Sequence, residues 1–215
     1  RVAATSTPVC GPARPDRTRR FMADSARGSG DLRTFIAAEL SVPVREVITE
    51  LIAKLSPCWP QGKVRWSKPE NLHLTLRFLG ATPQPQISPV GDALQVLCRK
   101  RRPIFLMLKG SGAFPDIRRP NVIWVGLQQE TEALIDLQRQ IESTVCDLGW
   151  TAERRPFRPH LTIGRLPQTT RSQDTSWVDT EVPEISYSVN TVSLIESQLA
   201  PRGAIYQTLY QAPLE

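Results

Sequence analysis

The two histidines of this chain stand in matching tetrapeptides, HLTL at residues 73–76 and HLTI at residues 160–163. In both, polar and aliphatic residues alternate, which is typical of a half-buried strand because side chains two positions apart share one face. Each pattern therefore predicts a strand that presents its histidine and threonine on one face and its aliphatic residues toward a core. The fold has to keep both polar faces accessible.

Packing alone is a poor explanation for this pair of motifs. A single His-x-Thr would most simply be a half-buried strand histidine with a local hydrogen-bond partner. The chain contains 2 histidines and 17 threonines among 215 residues, so chance seldom places threonine two positions after both histidines. The repetition favours a catalytic pair, whose two copies lie 87 positions apart.

An imidazole beside a hydroxyl, presented twice, suits chemistry on a phosphodiester. One histidine can take a proton from the attacking oxygen while the other protonates the leaving oxygen, because the unperturbed pKa of histidine is about 6.5. Each threonine hydroxyl can donate a hydrogen bond to a phosphate oxygen. The candidate catalytic residues are therefore His73, Thr75, His160 and Thr162. Strict alternation adds Arg77 to the His73 face and turns Phe78 toward the core.

The rest of the chain predicts an α+β protein in which strands outnumber helices. Two similar strand and helix sets around the motifs suggest two related lobes of mainly antiparallel sheet, with helices outside and a central cleft. We expect strands at residues 32–40, 64–66, 72–79, 104–109, 122–127, 160–165, 185–189, 192–198 and 206–211, and helices at 43–55, from 87 or 90 to 99, and 131–148.

Composition excludes several classes of function. No apolar run approaches the roughly 20 residues of a membrane span. The 4 cysteines lie far apart with no metal-ligand spacing, so no metal or disulfide framework is expected, and a cytoplasmic setting fits best. A Gly-rich phosphate loop is absent, which argues against ATP-driven chemistry. The net charge of +6 is concentrated near the N-terminus and is weak evidence for a long nucleic-acid groove.

The first 30 residues are rich in Pro, Ser, Ala, Gly and Arg and lack apolar periodicity. They predict a disordered or loosely packed N-terminal extension, residues 1–30, ahead of a single bilobal domain at residues 31–215. We expect the protein to be a monomer.

The decapeptides NLHLTLRFLG at residues 71–80 and PFRPHLTIGR at residues 156–165 resemble those of the 2H phosphoesterases. Within this superfamily they resemble the RNA 2′,3′-cyclic phosphodiesterases, also described as 2′-5′ RNA ligases. The similarity continues through RTFIAAEL, VRWSKPENLHLTL, GSGAFPDIRRPNVIWVGL and LIESQLAPRGAIY, in the expected order. It extends over about residues 32–214.

The resemblance implies a bilobal fold, no cofactor or metal, and hydrolysis of an RNA 2′,3′-cyclic phosphate to a 2′-phosphomonoester. It also implies that His73 is the proton donor and His160 the proton acceptor. This assignment comes from the resemblance alone, since the residues do not distinguish two such similar motifs. Thr75 and Thr162 would hold the phosphate. The same site run backward would form a 2′-5′ linkage.

Other residues are weaker candidates for substrate binding. Arg77 could bind a phosphate or form a structural ion pair, and Arg158, which shares the His160 face, could contact phosphate or RNA. Phe157 could stack on a base or simply pack. Trp66 and Trp124 are interpreted as packing residues.

Two alternatives to the RNA cyclic phosphodiesterase stay open. One is a 2H phosphoesterase with the same chemistry on a small cyclic nucleotide. The other is a module that binds RNA ends and does no chemistry.

Overall fold

The computed structural model describes residues 30–168, 170–172, 174–200 and 203–215. Within them lie nine strands and three α-helices. The strands are β1 (Asp31–Glu39), β2 (Arg65–Trp66), β3 (His73–Pro83), β4 (Ile104–Phe114), β5 (Val122–Gln129), β6 (His160–Arg165), β7 (Ser186–Val189), β8 (Thr191–Ala200) and β9 (Gly203–Pro213), and the helices are α1 (Val42–Leu55), α2 (Gln84–Cys98) and α3 (Thr131–Asp147). The predicted loose extension, residues 1–30, lies outside the described residues except for Gly30.

The strands form two antiparallel sheets, and each sheet holds one of the two motifs. The first sheet has the order β3-β1-β8-β9 and carries the motif of β3. The second has the order β2-β6-β5-β4-β7 and carries the motif of β6. The α+β architecture with two sheet-based lobes is therefore confirmed, and the motifs fall on strands as the alternation predicts.

Strand β1 lies inside the first sheet, between β3 and β8. Its residues 34–38 are all buried, because both faces of this strand are covered. Ile36 and Ala38 belong to the main hydrophobic core, whereas Phe35 and Ala37 form a small separate cluster with Ile195 on the opposite face. Strand β1 thus separates the core from the face on which His73 lies.

Helix α2 packs on the core side of the first sheet, against β9. A Cβ atom on Gly91 would lie only 2.4 Å from the ring of Tyr210, so glycine is needed for this close approach. Tyr210 pairs with Leu194, a fully buried core residue of β8. Tyr206, three pairs further along the β8-β9 ladder and beyond a register shift, instead contacts His73 on the other face.

The other two helices bury aliphatic residues at helical spacing. In α1 these are Val44, Ile48, Leu51 and Leu55, and in α3 they are Leu134, Leu137, Ile141 and Val145. Helix α1 has Pro43 in its first turn, where the missing N–H costs no helical hydrogen bond. None of the helices in the described residues is long and apolar enough to span a membrane.

Several element boundaries differ from the sequence-based expectation, among them the end of β3 at Pro83 and both ends of β9, and two of the differences have a clear local cause. Helix α2 begins at Gln84, ahead of the expected start at 87 or 90, because Pro85 lies in its first turn and Pro89 removes only a bond to the Pro85 carbonyl. Strand β4 continues beyond residue 109 to Phe114, with an irregularity between Leu108 and Ser111 that accommodates the two residues between them.

A short segment connects the two sheets at the motif strands. The chain leaves β2 of the second sheet and enters β3 of the first after a single 3-10 turn, Pro69–Asn71. Ser67 is fixed to β6 on the way, because its N–H donates to Ile163 O at 2.8 Å and its Oγ donates to Thr162 O at 2.9 Å. Strands β3 and β6 consequently approach within 8 Å, Cα to Cα.

Candidate active site

Strand β3 exposes part of His73 and Thr75 to the cleft and buries the aliphatic residues between and after them. Leu74 is fully buried and Leu76 is 3% exposed. Strand β6 repeats this arrangement, with His160 and Thr162 half-buried and the aliphatic residues Leu161 and Ile163 fully buried. Over these four positions, both motifs follow the alternation that the sequence predicts.

The alternation of β3 breaks immediately after the motif. The partners of Thr75 and Arg77 are adjacent residues of β1, so Leu76 is an extra residue in β3, a β-bulge. Arg77 therefore points to the core side, with 8% of its surface exposed, and Phe78 takes the cleft face with 55% exposed. The expectation that Arg77 shares the face of His73 is wrong, because a bulge reverses the faces of the residues that follow it.

Strand β6 contains the equivalent bulge. Thr162 and Gly164 pair with adjacent residues of β5, which leaves Ile163 as the extra residue. Gly164 is buried and Arg165 is exposed, just as Arg77 is buried and Phe78 exposed in the other motif. The two motif strands are therefore alike in backbone shape as well as in sequence.

Buried Arg77 fastens the bulged part of β3 to helix α3. Its Nε lies 2.6 Å from Glu142 Oε2 and forms an ion pair with it. The two groups are not aligned for a hydrogen bond. Its terminal nitrogens donate to Thr151 O at 2.6 Å and to Phe78 O at 2.9 Å. Arg77 thus has the structural ion pair that the sequence left open as its alternative role, and we remove it from the substrate-binding residues.

Each catalytic candidate histidine is tethered in the same way. His73 Nδ1 lies 2.7 Å from the carbonyl oxygen of Asn71, and His160 Nδ1 lies 2.6 Å from that of Arg158. A carbonyl can only accept, so Nδ1 carries the proton in both rings. Nε2 is then the nitrogen that gains and loses a proton, and both rings present the same titrating atom.

The environment lowers the pKa of both imidazoles. Burial is the largest cause and lowers the pKa of His73 to about 4, assisted by the charges of Arg165 and Arg45 and opposed by the hydrogen bond to Asn71. Burial also lowers the pKa of His160, again with a contribution from Arg165 and against its own carbonyl hydrogen bond. The charge of Arg165 thus lowers the pKa of both imidazoles.

Aromatic rings surround His73. The rings of Phe35 and Tyr206 lie 4.7 and 5.2 Å from the imidazole, centroid to centroid. Phe78 extends this group, because its ring lies 6.0 Å from that of Phe35. The first lobe therefore offers an apolar wall beside its histidine, with Phe78 as the exposed member.

A second aromatic pair stands beside His160. The Phe114 ring meets the imidazole edge on at 5.0 Å and lies 5.4 Å from the ring of Trp124. Trp124 lies over Gly112, where a Cβ atom would come within 2.4 Å of the indole. Trp124 is a packing residue as expected, but it packs in the wall of the cleft, on the same face as Thr162.

The other weak candidates separate clearly. Trp66 packs against the hydrophobic core, as expected, and Phe157 does so as well, which is the packing role left open for it. Arg158 is exposed, and its carbonyl is the tether of His160. Its guanidinium therefore remains a candidate for contact with RNA.

Both threonine hydroxyls lie half-buried, two positions after the histidine of the same strand. Within the part of the chain that the structure describes, neither the Thr75 nor the Thr162 side chain has a hydrogen-bond partner. A hydroxyl that is half-buried beside an imidazole and has no protein partner can donate to a phosphate oxygen.

Sequence reasoning missed two cleft residues, Phe78 and Arg165. Strict alternation assigned Phe78 to the core and did not single out Arg165. Their common position, five residues after each histidine, was a usable signal, because a repeated motif that hides one bulge must hide it in both copies.

A separate groove of about 820 Å³ lies between α2 and α3, lined in part by Lys100, Arg101 and Arg102, and neither histidine borders it. Among the described residues, no group of three or more His, Cys, Asp or Glu side chains could hold a metal ion. The chemistry of the paired motifs marks the candidate active site.

Comparison with known proteins identifies the family. The model of the LigT-like phosphoesterases matches the chain twice, at residues 39–124 and 125–206, so each match contains one motif. The chain belongs to this family. The double match agrees with the duplicated bulged strands and with the two lobes.

Curated relatives are similar over nearly their whole length. An RNA 2′,3′-cyclic phosphodiesterase of Thermotoga maritima is 33% identical over 188 residues, which cover 86% of this chain and 96% of the relative. A protein of the same name from Methanothermobacter thermautotrophicus is 29% identical over 81% of this chain and 95% of its own.

A solved structure shares the fold. The crystal structure of LigT of E. coli complexed with 3′-AMP has a TM-score of 0.66 and 28% identity, and the match covers 86% of this chain and 98% of that one. The fold and the family are thus established by independent comparisons.

Proposed function

We propose that this protein hydrolyses RNA 2′,3′-cyclic phosphate ends to 2′-phosphomonoesters by metal-independent acid and base catalysis. The observation that carries the proposal is the shared tether of the two histidines. Because Nδ1 of each ring is fixed to a carbonyl, the two Nε2 atoms are free to exchange protons with a substrate in the cleft. The names of the curated relatives support the choice of substrate.

In the proposed step, His160 Nε2 accepts a proton from water as the water oxygen attacks phosphorus in line with the 3′ oxygen. The bond between phosphorus and the 3′ oxygen breaks, and the proton on His73 Nε2 passes to that oxygen. The products are a 2′-phosphomonoester and a 3′-hydroxyl. His160 ends protonated and His73 neutral, and proton exchange with solvent restores the starting state.

Because the pKa of His73 is about 4, its imidazole is neutral at neutral pH and becomes protonated only when the substrate is bound. An anionic phosphate stabilises a nearby imidazolium and offsets the field of Arg165, so its binding raises the pKa of both histidines. The proton on His73 is therefore acquired together with the substrate. In this proposal Arg165 neutralises charge on the phosphate, while the Thr75 and Thr162 hydroxyls donate to its non-bridging oxygens.

A second reaction uses the same groups with a different nucleophile. A 5′-hydroxyl in place of water would attack the cyclic phosphate with His160 as the base, giving a 2′-5′ linkage. The bond between phosphorus and the 3′ oxygen again breaks, and that oxygen takes the proton of His73, so we propose ligation as a secondary activity.

The test is turnover of a short RNA that ends in a 2′,3′-cyclic phosphate, with a chelator present. We expect a 2′-phosphate product, a bell-shaped pH dependence, and at least a hundredfold loss in His73→Ala and His160→Ala. A rate that does not change between about pH 5 and 8 would contradict the histidine pair. Tight binding without turnover would favour a binding module, and turnover of mononucleotides alone would favour a small cyclic substrate.

A further inference from the structure

Two arginines lie side by side at the edge of the second sheet. Arg65 of β2 pairs directly with Arg165 of β6, so both side chains leave the sheet on the same face. The neighbouring pair, Trp66 and Gly164, faces the core, because a Cβ atom on Gly164 would meet the Trp66 ring at 3.0 Å and Trp66 packs against that core. Arg65 and Arg165 must therefore project into the cleft.

This arrangement is unfavourable without a ligand. Like charges directly opposite each other in an antiparallel pair destabilise a sheet, and their Cβ atoms are only about 5 Å apart. Both residues are exposed, and within the described residues neither has a salt bridge to a carboxylate. An anion that binds between or beside the two guanidinium groups would remove the repulsion.

The two arginines lie on different strands. Arg165 is on β6, the strand of His160 and Thr162, and its charge lowers the pKa of both histidines, whereas Arg65 is on β2 at the edge of the sheet. Arg65 is one strand further out, about 4.8 Å beyond β6. Arg165 therefore serves the reacting phosphate, and Arg65 faces a position outside it.

We propose that Arg65 forms a second phosphate subsite, which binds the phosphodiester that joins the terminal nucleotide to the rest of the RNA. This inference rests on the proposed function, because it requires the cyclic phosphate to lie between the histidines. The guanidinium of Arg65 is suited to bind two non-bridging oxygens of one phosphate. The substrate class is then an oligonucleotide with at least one internal phosphodiester.

Three substrates separate this subsite from the reacting centre. They are a nucleoside 2′,3′-cyclic phosphate, a dinucleotide with a cyclic phosphate end, and the same dinucleotide with a neutral methylphosphonate in place of its internal phosphodiester. We compare kcat/KM for the unmodified protein, Arg65→Gln and Arg99→Gln. Arg99 follows α2 and is exposed, so its variant loses the same charge away from the sheets.

We expect the unmodified protein and Arg99→Gln to prefer the charged dinucleotide over the neutral one by about tenfold, the effect of one charge-assisted contact. In Arg65→Gln this preference disappears, while turnover of the cyclic mononucleotide changes less than about twofold. The preference of the unmodified protein also weakens as salt concentration rises, because a phosphate contact releases counterions.

An equal loss on all three substrates in Arg65→Gln would overturn the inference, since Arg65 would then act at the cyclic phosphate or on folding. An unchanged preference in this variant would overturn it as well. No turnover of any substrate by the unmodified protein would reject the proposed function and, with it, the subsite. The first two outcomes leave the proposed function intact.

Discussion

Strands β3 and β6 have the same bulged backbone conformation but expose different side chains to the cleft. Both place a tethered histidine, a half-buried threonine hydroxyl and a bulged aliphatic residue in the same order. After the bulge, β3 turns an aromatic ring to the cleft and β6 a guanidinium. The shared part supplies two matched pairs of an imidazole and a hydroxyl, and the differing part makes one lobe apolar and the other cationic.

The buried sides of the two bulges differ as well. In β3 the bulge is held from behind by Arg77, which is ion-paired to α3. In β6 the equivalent residue is Gly164, which leaves room for the Val64 and Trp66 side chains. One bulge is thus stabilised by a charge network and the other by close packing. Equivalent backbone geometry does not require equivalent support.

The largest expected effect distinguishes the two histidines. Each is replaced by alanine in turn, and each variant is compared on an ordinary cyclic phosphate and on an analogue whose leaving group needs no proton. We expect either alanine variant to lose about a thousandfold with an ordinary cyclic phosphate. With sulfur in place of the 3′ oxygen, the leaving thiolate requires no proton, because a thiol is far more acidic than an alcohol.

Single-turnover rates on the two substrates are the measurement. His73→Ala should recover most of its activity on the sulfur analogue, while His160→Ala should not, because water activation is still missing. Recovery in His160→Ala alone would exchange the two roles while keeping the pair.

A second prediction uses urea unfolding to compare the ion pair of Arg77 behind the β3 bulge with the close packing at Gly164 behind the β6 bulge. Arg77→Met leaves the Glu142 carboxylate without its counterion, and we expect the free energy of unfolding to fall by about 3 kcal/mol. Adding Glu142→Gln should restore much of this loss. Gly164→Ala should cost about 1 to 3 kcal/mol through overpacking against Val64, and no charge substitution should repair it. If Glu142→Gln restored as much stability to Gly164→Ala as to Arg77→Met, the two bulges would not differ in how they are stabilised.

The smallest expected effect concerns stability and pH. The pKa of His73 falls from 6.5 to about 4 on folding, so below about pH 6.5 the unfolded chain binds more protons than the folded one. Stability is therefore full above this pH and is lost as pH falls toward 4, by about 1 to 2 kcal/mol between pH 7 and 5. His73→Gln should flatten this dependence more than His160→Gln, because His73 is the more deeply buried of the two. A steeper dependence in His73→Gln would reverse the assignment of the shift.

Much of this molecule could be predicted from its sequence. The alternation around both histidines predicted their strands, and helical spacing of aliphatic residues predicted α1 and α3. The interpretation of Arg77 failed because strict alternation makes no allowance for a β-bulge, which reverses the faces of the residues after it. The side of the sheet on which a residue emerges depends on the partner strand, since β1 and β5 set the registers that leave Leu76 and Ile163 unpaired.

Asn71 has a consequence beyond holding one imidazole. Its carbonyl orients His73, while its amide Nδ2 donates to Ala204 O of β9 at 3.0 Å. Asn71 thus links His73 to β9, the strand at the edge of the first sheet. Because one residue makes both contacts, a displacement of β9 relative to β3 would move the carbonyl that holds Nδ1 of His73 and would change the direction in which Nε2 points.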